Sequence, residues 1–168
     1  TDQAGNGKSP ESPLATWDYA DNLASDDDLI YLMENHVETV ASAGAISLAS
    51  GARTIGLGQG TNRPTFTFSA TASTITVTAA NTEFTNIILV PSIDSVVSPI
   101  VVSAANCSLK FEVQDASASI EFVRAVLTTA AADNLTLDIV YRGFVAGNAC
   151  VNAVRLVGGD NIKIGIEF

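Results

Sequence analysis

The sequence is short of residues on which several classes of protein depend. It has two cysteines, Cys107 and Cys150, and one histidine, His36, so it can build neither a disulfide framework nor a His-based metal cluster. Only 8 residues are basic against 18 acidic ones, and the net charge of −10 would repel a nucleic-acid backbone or an anionic membrane. No apolar run approaches the roughly 20 residues that cross a bilayer. We therefore expect no nucleic acid, membrane, metal or cofactor as a partner, and two buried thiols.

What the chain does have is the composition of one β-rich domain. Its 168 residues are 47% hydrophobic and 15% charged, which supplies enough apolar side chains for a core. Residues 1–13 are polar and predict a flexible N-terminal arm, and residues 14–168 predict the folded domain. Thr, Val and Ile dominate this domain, without Asn-Gly or Asp-Gly turns between the strand-like segments. That pattern favours parallel strands over antiparallel hairpins.

An internal repeat runs through the second half of the chain. Residues 77–81 (VTAAN) recur as residues 102–106 (VSAAN), and further asparagines stand at 134 and 161. After each asparagine the same alternation appears, and alternate residues of a strand share one face. The mostly apolar columns are Thr82, Cys107, Leu135 and Ile162; Phe84, Leu109, Leu137 and Ile164; Asn86, Phe111, Ile139 and Ile166; and Ile88, Val113, Tyr141 and Phe168. These columns predict the core-facing side of each strand.

Apolar columns that return every 25 to 28 residues predict a solenoid, in which each coil stacks about 4.7–4.9 Å above the last. We predict an all-β fold, a parallel β-helix of about five coils, with an earlier and looser coil over residues 38–68. The repeat asparagines are expected to form an amide ladder at a bend, because Asn tolerates the left-handed backbone conformation. They are Asn81, Asn106, Asn134 and Asn161. The alternative is four unrelated turn asparagines.

The two ends of such a stack expose strand edges. A short helix is predicted at the first end, since Ser12 can cap it and Pro13 suits its first turn. Its apolar stripe consists of Leu14, Trp17, Ala20 and Ala24. We expect this helix, with Trp17, to cap the first coil. At the other end, the strand that reaches Phe168 predicts either further chain beyond residue 168 or a partner on that edge.

The positions between the core columns predict the outer face. Lys110 and Asp138 lie four residues past their asparagines and should form a cross-strand ion pair. Glu112 and Glu167, six residues past theirs, would lie two coils apart, about 9–10 Å at the backbone. That is near the carboxyl separation of about 6.5–9.5 Å in inverting glycosidases. The apolar residues expected to face outward and contact a protein are Ile87 and Val140, together with Val123 or Val126 further round the coil.

Four segments of the first coils resemble a known superfamily. They are residues 28–32 (DLIYL), 36–39 (HVET), 54–60 (TIGLGQG) and 63–68 (RPTFTF). Together they resemble the N-terminal coils of right-handed parallel β-helix proteins of the pectin-lyase-like superfamily, in particular those encoded among tailed-phage virion structural genes. The resemblance covers nearly all of the chain after the arm. It implies a right-handed coil, a homotrimer and a place on the virion, as a tailspike, a fibre or a capsid-surface protein.

The chain is shorter than the long tailspikes and contains no recognisable C-terminal trimerisation or catalytic region, so its position on the virion stays open. The Asn-x-Asp and Gly-His-Gly patterns of polygalacturonases and the basic cluster of lyases are absent, so we expect no enzyme activity. The expected function is that of a trimeric capsid-surface decoration or head-fibre protein. It would attach through its N-terminal region, assemble in the host cytoplasm, and contact itself and virion proteins such as the major capsid protein. The alternative is the N-terminal part of a tailspike that binds or depolymerises host polysaccharide. Its catalytic candidates are Glu112, Glu167 and Asp138.

Overall fold

Parallel β-strands wind into a single stack of coils. The computed structural model describes residues 2–3, 5–117, 119–143 and 152–168. Within them the chain forms a parallel β-solenoid of about five turns with one short helix near the N-terminus. The prediction of an all-β solenoid is confirmed.

The elements follow one another in a regular order. The helix α1 spans Trp17–Leu23, and a 3-10 turn spans Gly60–Asn62. The strands are β1 Leu29–Leu32, β2 Val37–Val40, β3 Ile46–Leu48, β4 Arg53–Gly56, β5 Thr65–Phe68, β6 Ile75–Val77, β7 Glu83–Pro91, β8 Ile100–Val102, β9 Ser108–Gln114, β10 Arg124–Thr128, β11 Thr136–Arg142, β12 Asn152–Arg155 and β13 Lys163–Glu167.

Each coil contributes strands to two parallel sheets. The first sheet has the order β1-β4-β7-β9-β11-β13, and β2 and β5 extend it beside the second half of β7. The second sheet has the order β12-β10-β8-β6-β3. The long strand β7 lies beside both β4 and β5, so the two short strands of an early coil merge into one long strand in the later coils.

The predicted core columns are in register on β9, β11 and β13. The two central columns are Leu109, Leu137 and Ile164, and Phe111, Ile139 and Ile166. Their members on β9 and β11 are buried, and each such side chain contributes about 1.5–3 kcal/mol of hydrophobic stabilisation. Ile164 and Ile166 are 41% and 36% exposed, because β13 is the outermost strand of its sheet.

A β-bulge shifts the alignment of β7 by one residue. The register changes between Phe84 and Ile87, and the intervening Asn86 has a left-handed backbone with φ +63°. As a result Ile87 pairs with Phe111 and is fully buried. The predictions that Ile87 faces outward and that Asn86 lies in the core column of Phe111 are therefore wrong. Ile88, predicted for the next core column, instead pairs with Glu112 in the row of outer-face residues, where its side chain is still buried.

The exposed apolar side chains do not lie where the sequence predicts them. Val126 pairs with Ile100 in the second sheet and is fully buried, so its predicted outward orientation is wrong, while Val123 and Val140 are partly buried. Among the residues that the structure describes, the exposed large apolar side chains other than Val97 lie near the two ends of the stack. They are Leu23, Leu29, Tyr31, Met33 and Val37 near the first coil, and Leu156, Val157, Ile164, Ile166 and Phe168 near the last.

The helix begins later than the sequence predicts. Its N-cap is Thr16, whose hydroxyl oxygen accepts a hydrogen bond from the N–H of Tyr19. Asp2 holds Thr16 in an extended conformation by accepting hydrogen bonds from the N–H groups of Ala15 and Thr16. The prediction of Ser12 as the cap is therefore wrong, and the Ser12 hydroxyl donates to the Asn6 side chain instead.

Trp17 closes the first end of the solenoid from inside. Its ring is fully buried. The centroid of the Trp17 ring lies 5.1 Å from that of Phe66 and 5.5 Å from that of Phe84, and these two residues belong to the next two coils. The indole N–H donates to the Thr54 hydroxyl over 3.1 Å, so the polar atom of the ring is satisfied in the core. The helix thus caps the stack by inserting this side chain into it.

Two aspartates of α1 satisfy the free edge of β3, the end strand of the second sheet. Asp18 accepts a hydrogen bond of 2.8 Å from the N–H of Ser47. Asp21, which is almost fully buried, accepts bonds from the N–H groups of Ala49 and Ser50 at 2.7 and 3.1 Å. These carboxylates take the place of a neighbouring strand, so this edge offers few free groups to another chain.

Replacing Trp17 with alanine should lower the free energy of unfolding by about 3–5 kcal/mol, because it opens a cavity between the first three coils. Chemical denaturation followed by circular dichroism measures the change. The control is Phe168→Ala at a side chain that is 84% exposed, which should change stability by less than about 0.5 kcal/mol. Equal effects of the two substitutions would contradict the role of Trp17 as an internal cap.

Candidate functional surface

The outer face of the first sheet brings the predicted carboxylates onto one surface. One row across the strands contains Thr65, Ile88, Glu112, Val140 and Glu167. Glu112 and Glu167 thus lie on the same face with Val140 between them, about 9–10 Å apart at the backbone. The sequence predicted this placement of Glu112, Val140 and Glu167, but not that Ile88 occupies the row.

Glu112 is held by a cation from an early turn. The guanidinium of Arg63 donates to its carboxylate over 2.8 Å, and both side chains are largely buried, at 16% and 11% exposure. Arg63 is itself fixed, because its Nε donates to the carbonyl of Gly60 in the 3-10 turn. Gln114 donates to the other carboxylate oxygen of Glu112. Glu112 is therefore part of a rigid polar cluster.

The surroundings of Glu112 favour its ionised form. Burial alone would raise the pKa of Glu112, but hydrogen bonds from Gln114 and Arg63 and the positive charges of Arg63 and Arg142 outweigh it. The pKa of Glu112 consequently lies below its ordinary value. A general acid for glycoside hydrolysis needs the opposite, a carboxyl group whose pKa is raised so that it carries a proton near neutral pH.

The other two catalytic candidates are also paired with cations. Lys110 lies 3.8 Å from Asp138 in the register that the sequence predicts, which confirms their ion pair. Arg142 lies 3.4 Å from Glu167. More than half of each of these four side chains is exposed, so each pair contributes at most about 1 kcal/mol. The arrangement joins neighbouring strands electrostatically.

The repeat asparagines lie above one another at a bend between the two sheets. All four have left-handed backbones, with φ of +64°, +59°, +53° and +56° for Asn81, Asn106, Asn134 and Asn161. The Asn134 amide donates to the side-chain oxygen of Asn106 over 2.9 Å, and the Asn161 amide donates to that of Asn134 over 3.2 Å. Asn81 joins the same column through its backbone N–H, which donates to the carbonyl of Ala105.

A second buried carboxylate lies at the end of β9. Both carboxylate oxygens of Asp115 accept hydrogen bonds from the Tyr141 hydroxyl, at 3.0 and 3.1 Å. Burial raises the pKa of Asp115, and the hydrogen bonds from Tyr141 and the Phe122 backbone only partly offset it. Sequence reasoning placed Tyr141 in a core column but missed Asp115, because the residue follows the last strand position that the repeat defines.

The remaining reactive side chains are held in structural contacts. Cys107 is 1% exposed, and burial raises the pKa of its thiol to about 11, so it is protonated at neutral pH. Cys150 lies outside the described residues. His36 Nε2 lies 3.1 Å from the Glu38 carboxylate, which also accepts a hydrogen bond from the backbone N–H of Trp17. In the part of the chain that the structure describes, no three His, Cys, Asp or Glu residues converge as a metal site requires.

Glu112 and Asp115 predict opposite pH dependences of stability. Because the folded-state pKa of Glu112 is lowered, its stabilisation is present above the unfolded value of about 4.3 and is lost as the pH falls through the folded value. Glu112→Gln should therefore cost about 1–3 kcal/mol near pH 7 and progressively less below about pH 4.5. Urea unfolding over a pH series measures this difference from the unsubstituted protein.

Asp115→Asn is the matched control for this pH series. The pKa of Asp115 is raised, so its protonated form favours folding and this contribution is lost as the pH rises above the unfolded value of about 3.9. The stability of the unsubstituted protein relative to Asp115→Asn should therefore improve as the pH falls. Parallel pH profiles for the two variants would contradict the assigned environments.

Comparisons with known proteins do not assign a family to this geometry. No family model matches the sequence, and neither the curated proteins nor the solved structures contain a match to the chain. Among the described residues, no helix has the length and apolar character needed to span a membrane. The fold and the paired outer face are therefore the observations from which a function is inferred.

Proposed function

We propose that this protein is a non-enzymatic structural component of a tailed-phage virion. It would be a right-handed β-helix of the pectin-lyase-like kind, on the capsid surface or at the root of a head fibre. The resemblance of the first coils supports the family, and the strong right-handed preference of parallel crossovers supports the handedness. Assembly would take place in the host cytoplasm, where the buried thiol of Cys107 stays reduced.

The pairing of the outer-face carboxylates carries the non-enzymatic part of the proposal. Each of the three acidic residues that could cleave a polysaccharide has a cation within 4 Å, namely Arg63 for Glu112, Lys110 for Asp138 and Arg142 for Glu167. These pairs join β9 to an early turn, β9 to β11 and β11 to β13. They support a mechanical role, in which the face stiffens the stack instead of acting on a ligand.

A rigid post requires a continuous core and few weak points along its axis. One cluster of buried apolar side chains extends from the first coil to β11, and ring contacts connect Trp17 to Phe84 and Phe84 to Phe111. Force applied along the stack would be shared among the backbone hydrogen bonds of two parallel sheets. This construction suits a protein that holds its position on a particle.

Attachment through the N-terminal region fits the distribution of apolar surface. Leu29, Tyr31 and Val37 are 45%, 55% and 69% exposed at the first coil. Ile87 and Val126 were expected on the outer face, where they could contact the other copies of a trimer. Both are buried in the core, so neither is available for that contact. The proposed homotrimer therefore rests on the resemblance, with the major capsid protein as the proposed partner of the first coil.

Light scattering on the purified protein should give the mass of a trimer, or the protein should be recovered bound to purified virus particles from an infected culture. The proposed assembly role requires one of these two outcomes, because a decoration protein must associate with itself or with the particle. A soluble monomer that is absent from the particles would contradict the role.

The alternative function is the binding or cleavage of host polysaccharide. The observation that favours it is the placement of Glu112 and Glu167 on one face of the sheet, at a backbone separation near the carboxyl separation of inverting glycosidases. Incubation with host capsule or lipopolysaccharide should release no oligosaccharide if the structural role is correct. Release that is abolished by Glu167→Gln, with Glu83→Gln at the start of β7 as the control, would establish the alternative.

A further inference from the structure

A groove runs along β1 at the first end of the stack. It encloses about 440 Å³ between β1, the helix α1 and residues 6–10 of the arm, and we call it the β1 groove. Its floor includes the whole of β1, from Leu29 to Leu32, followed by Met33. The strand β1 is the end strand of the first sheet, with β4 as its neighbour on one side.

The backbone of β1 presents unpaired groups to this groove. The carbonyls of Asp28 and Leu32 accept hydrogen bonds from the N–H groups of Arg53 and Leu57, on the side of β4. Successive residues of a strand direct their backbone groups to opposite sides, so Leu29 and Tyr31 direct theirs away from β4. The comparable edge of β3 is covered by the aspartates of α1, whereas in the described residues no strand pairs with this edge of β1.

The side chains along the edge suit an extended apolar segment. Leu29, Tyr31 and Met33 alternate along the strand and are 45%, 55% and 38% exposed. Natural proteins usually protect an edge strand with charges, prolines or bulges, because an exposed apolar edge pairs with other chains. Here the alternating residues are apolar, which is the pattern of an edge that receives another strand.

Charge determines which segment the edge would receive. Asp26, Asp27 and Asp28 lie just before β1 and Glu34 just after it, and all four are exposed. Lys8 on the arm is the cation beside the groove, and four carboxylates outnumber it. A second copy of this chain would bring the same carboxylates and a further net charge of −10. A segment with lysine or arginine at its ends would instead be attracted at both ends of β1.

We propose that the β1 groove binds an extended segment of another protein, which adds to the first sheet as a strand beside β1. The segment has apolar side chains at alternate positions and basic residues at both ends. Backbone hydrogen bonds to Leu29 and Tyr31 supply the pairing, and the flanking carboxylates supply the selectivity. The proposal concerns the same first coil as the proposed capsid attachment, but it rests on the strand edge and its flanking charges and not on the virion role.

A synthetic peptide of alternating valine and threonine with two lysines at each end tests the proposal on the full chain. It should bind saturably, as measured by calorimetry, and should slow hydrogen exchange at the Tyr31 amide and its neighbours in β1. A peptide with glutamates in place of the lysines should bind at least about tenfold more weakly. The lysine peptide with proline at its central positions lacks the N–H groups for pairing and should not bind.

Variants of the protein separate the backbone and charge contributions. Asp27→Asn with Glu34→Gln should weaken binding of the lysine peptide about fivefold to tenfold, because it removes a charge at each end of β1. Asparagine suits the left-handed backbone of Asp27, whose φ is +68°. The matched control, Asp138→Asn with Glu167→Gln, removes the same charges from the far outer face and should leave binding unchanged. Tyr31→Pro removes one edge N–H and should abolish binding, with circular dichroism to confirm folding.

Three outcomes would overturn the proposal. The first is binding without slowed exchange in β1, and the second is equal binding of the lysine and glutamate peptides. The third is self-association of the chain that protects β1 in the absence of peptide, which would make a second copy the occupant. If the peptide binds as expected but the protein is a monomer that is absent from virus particles, only the proposed function is overturned.

Discussion

In-register stacking of one parallel coil on the next is the constraint on which the rest of the structure depends. Each coil must return its strands to the same positions, and this requires a bend of fixed geometry at the same place in every turn. The left-handed asparagines provide this bend, and the side chains of Asn106, Asn134 and Asn161 bond to one another across neighbouring coils. Once the bends are aligned, the apolar columns follow, because each inward residue then lies over its counterpart.

The same stacking makes the two ends of the molecule chemically different from its middle. Inside the stack each strand satisfies its neighbours, whereas an end strand has unpaired backbone groups on one side. In the second sheet, Asp18 and Asp21 of α1 accept hydrogen bonds from the backbone N–H groups at this edge. Trp17 fills the interior beneath the first coil. The helix leaves β1 of the first sheet open beside a groove. At the other end of the described sheet, β13 is also an end strand, and its Ile164 and Ile166 are partly exposed.

The sequence predicted the parts of the fold that repeat and missed the parts that occur once. The columns of β9, β11 and β13 could be derived because an asparagine marks where each strand begins. From that point, the alternation of side chains assigns each residue to the inner or the outer face. The bulge at Asn86 could not, because one inserted residue leaves the alternation of β7 apolar in either register and only pairing reveals it. The partner of Glu112 was also missed, since Arg63 stands 49 residues away in a turn without a repeat counterpart. The alternation along a strand predicts which face of the sheet a side chain lies on, but it does not predict which distant residue that side chain contacts.

The measurement that tests the solenoid most directly is nuclear Overhauser spectroscopy on the isotope-labelled protein in solution. Parallel stacking predicts backbone contacts between Leu109 and Leu137 and between Leu137 and Ile164, together with side-chain amide contacts from Asn106 to Asn134 and from Asn134 to Asn161. Short contacts between α protons of facing strands, which are typical of antiparallel pairs, together with the absence of amide contacts among these asparagines, would contradict the account.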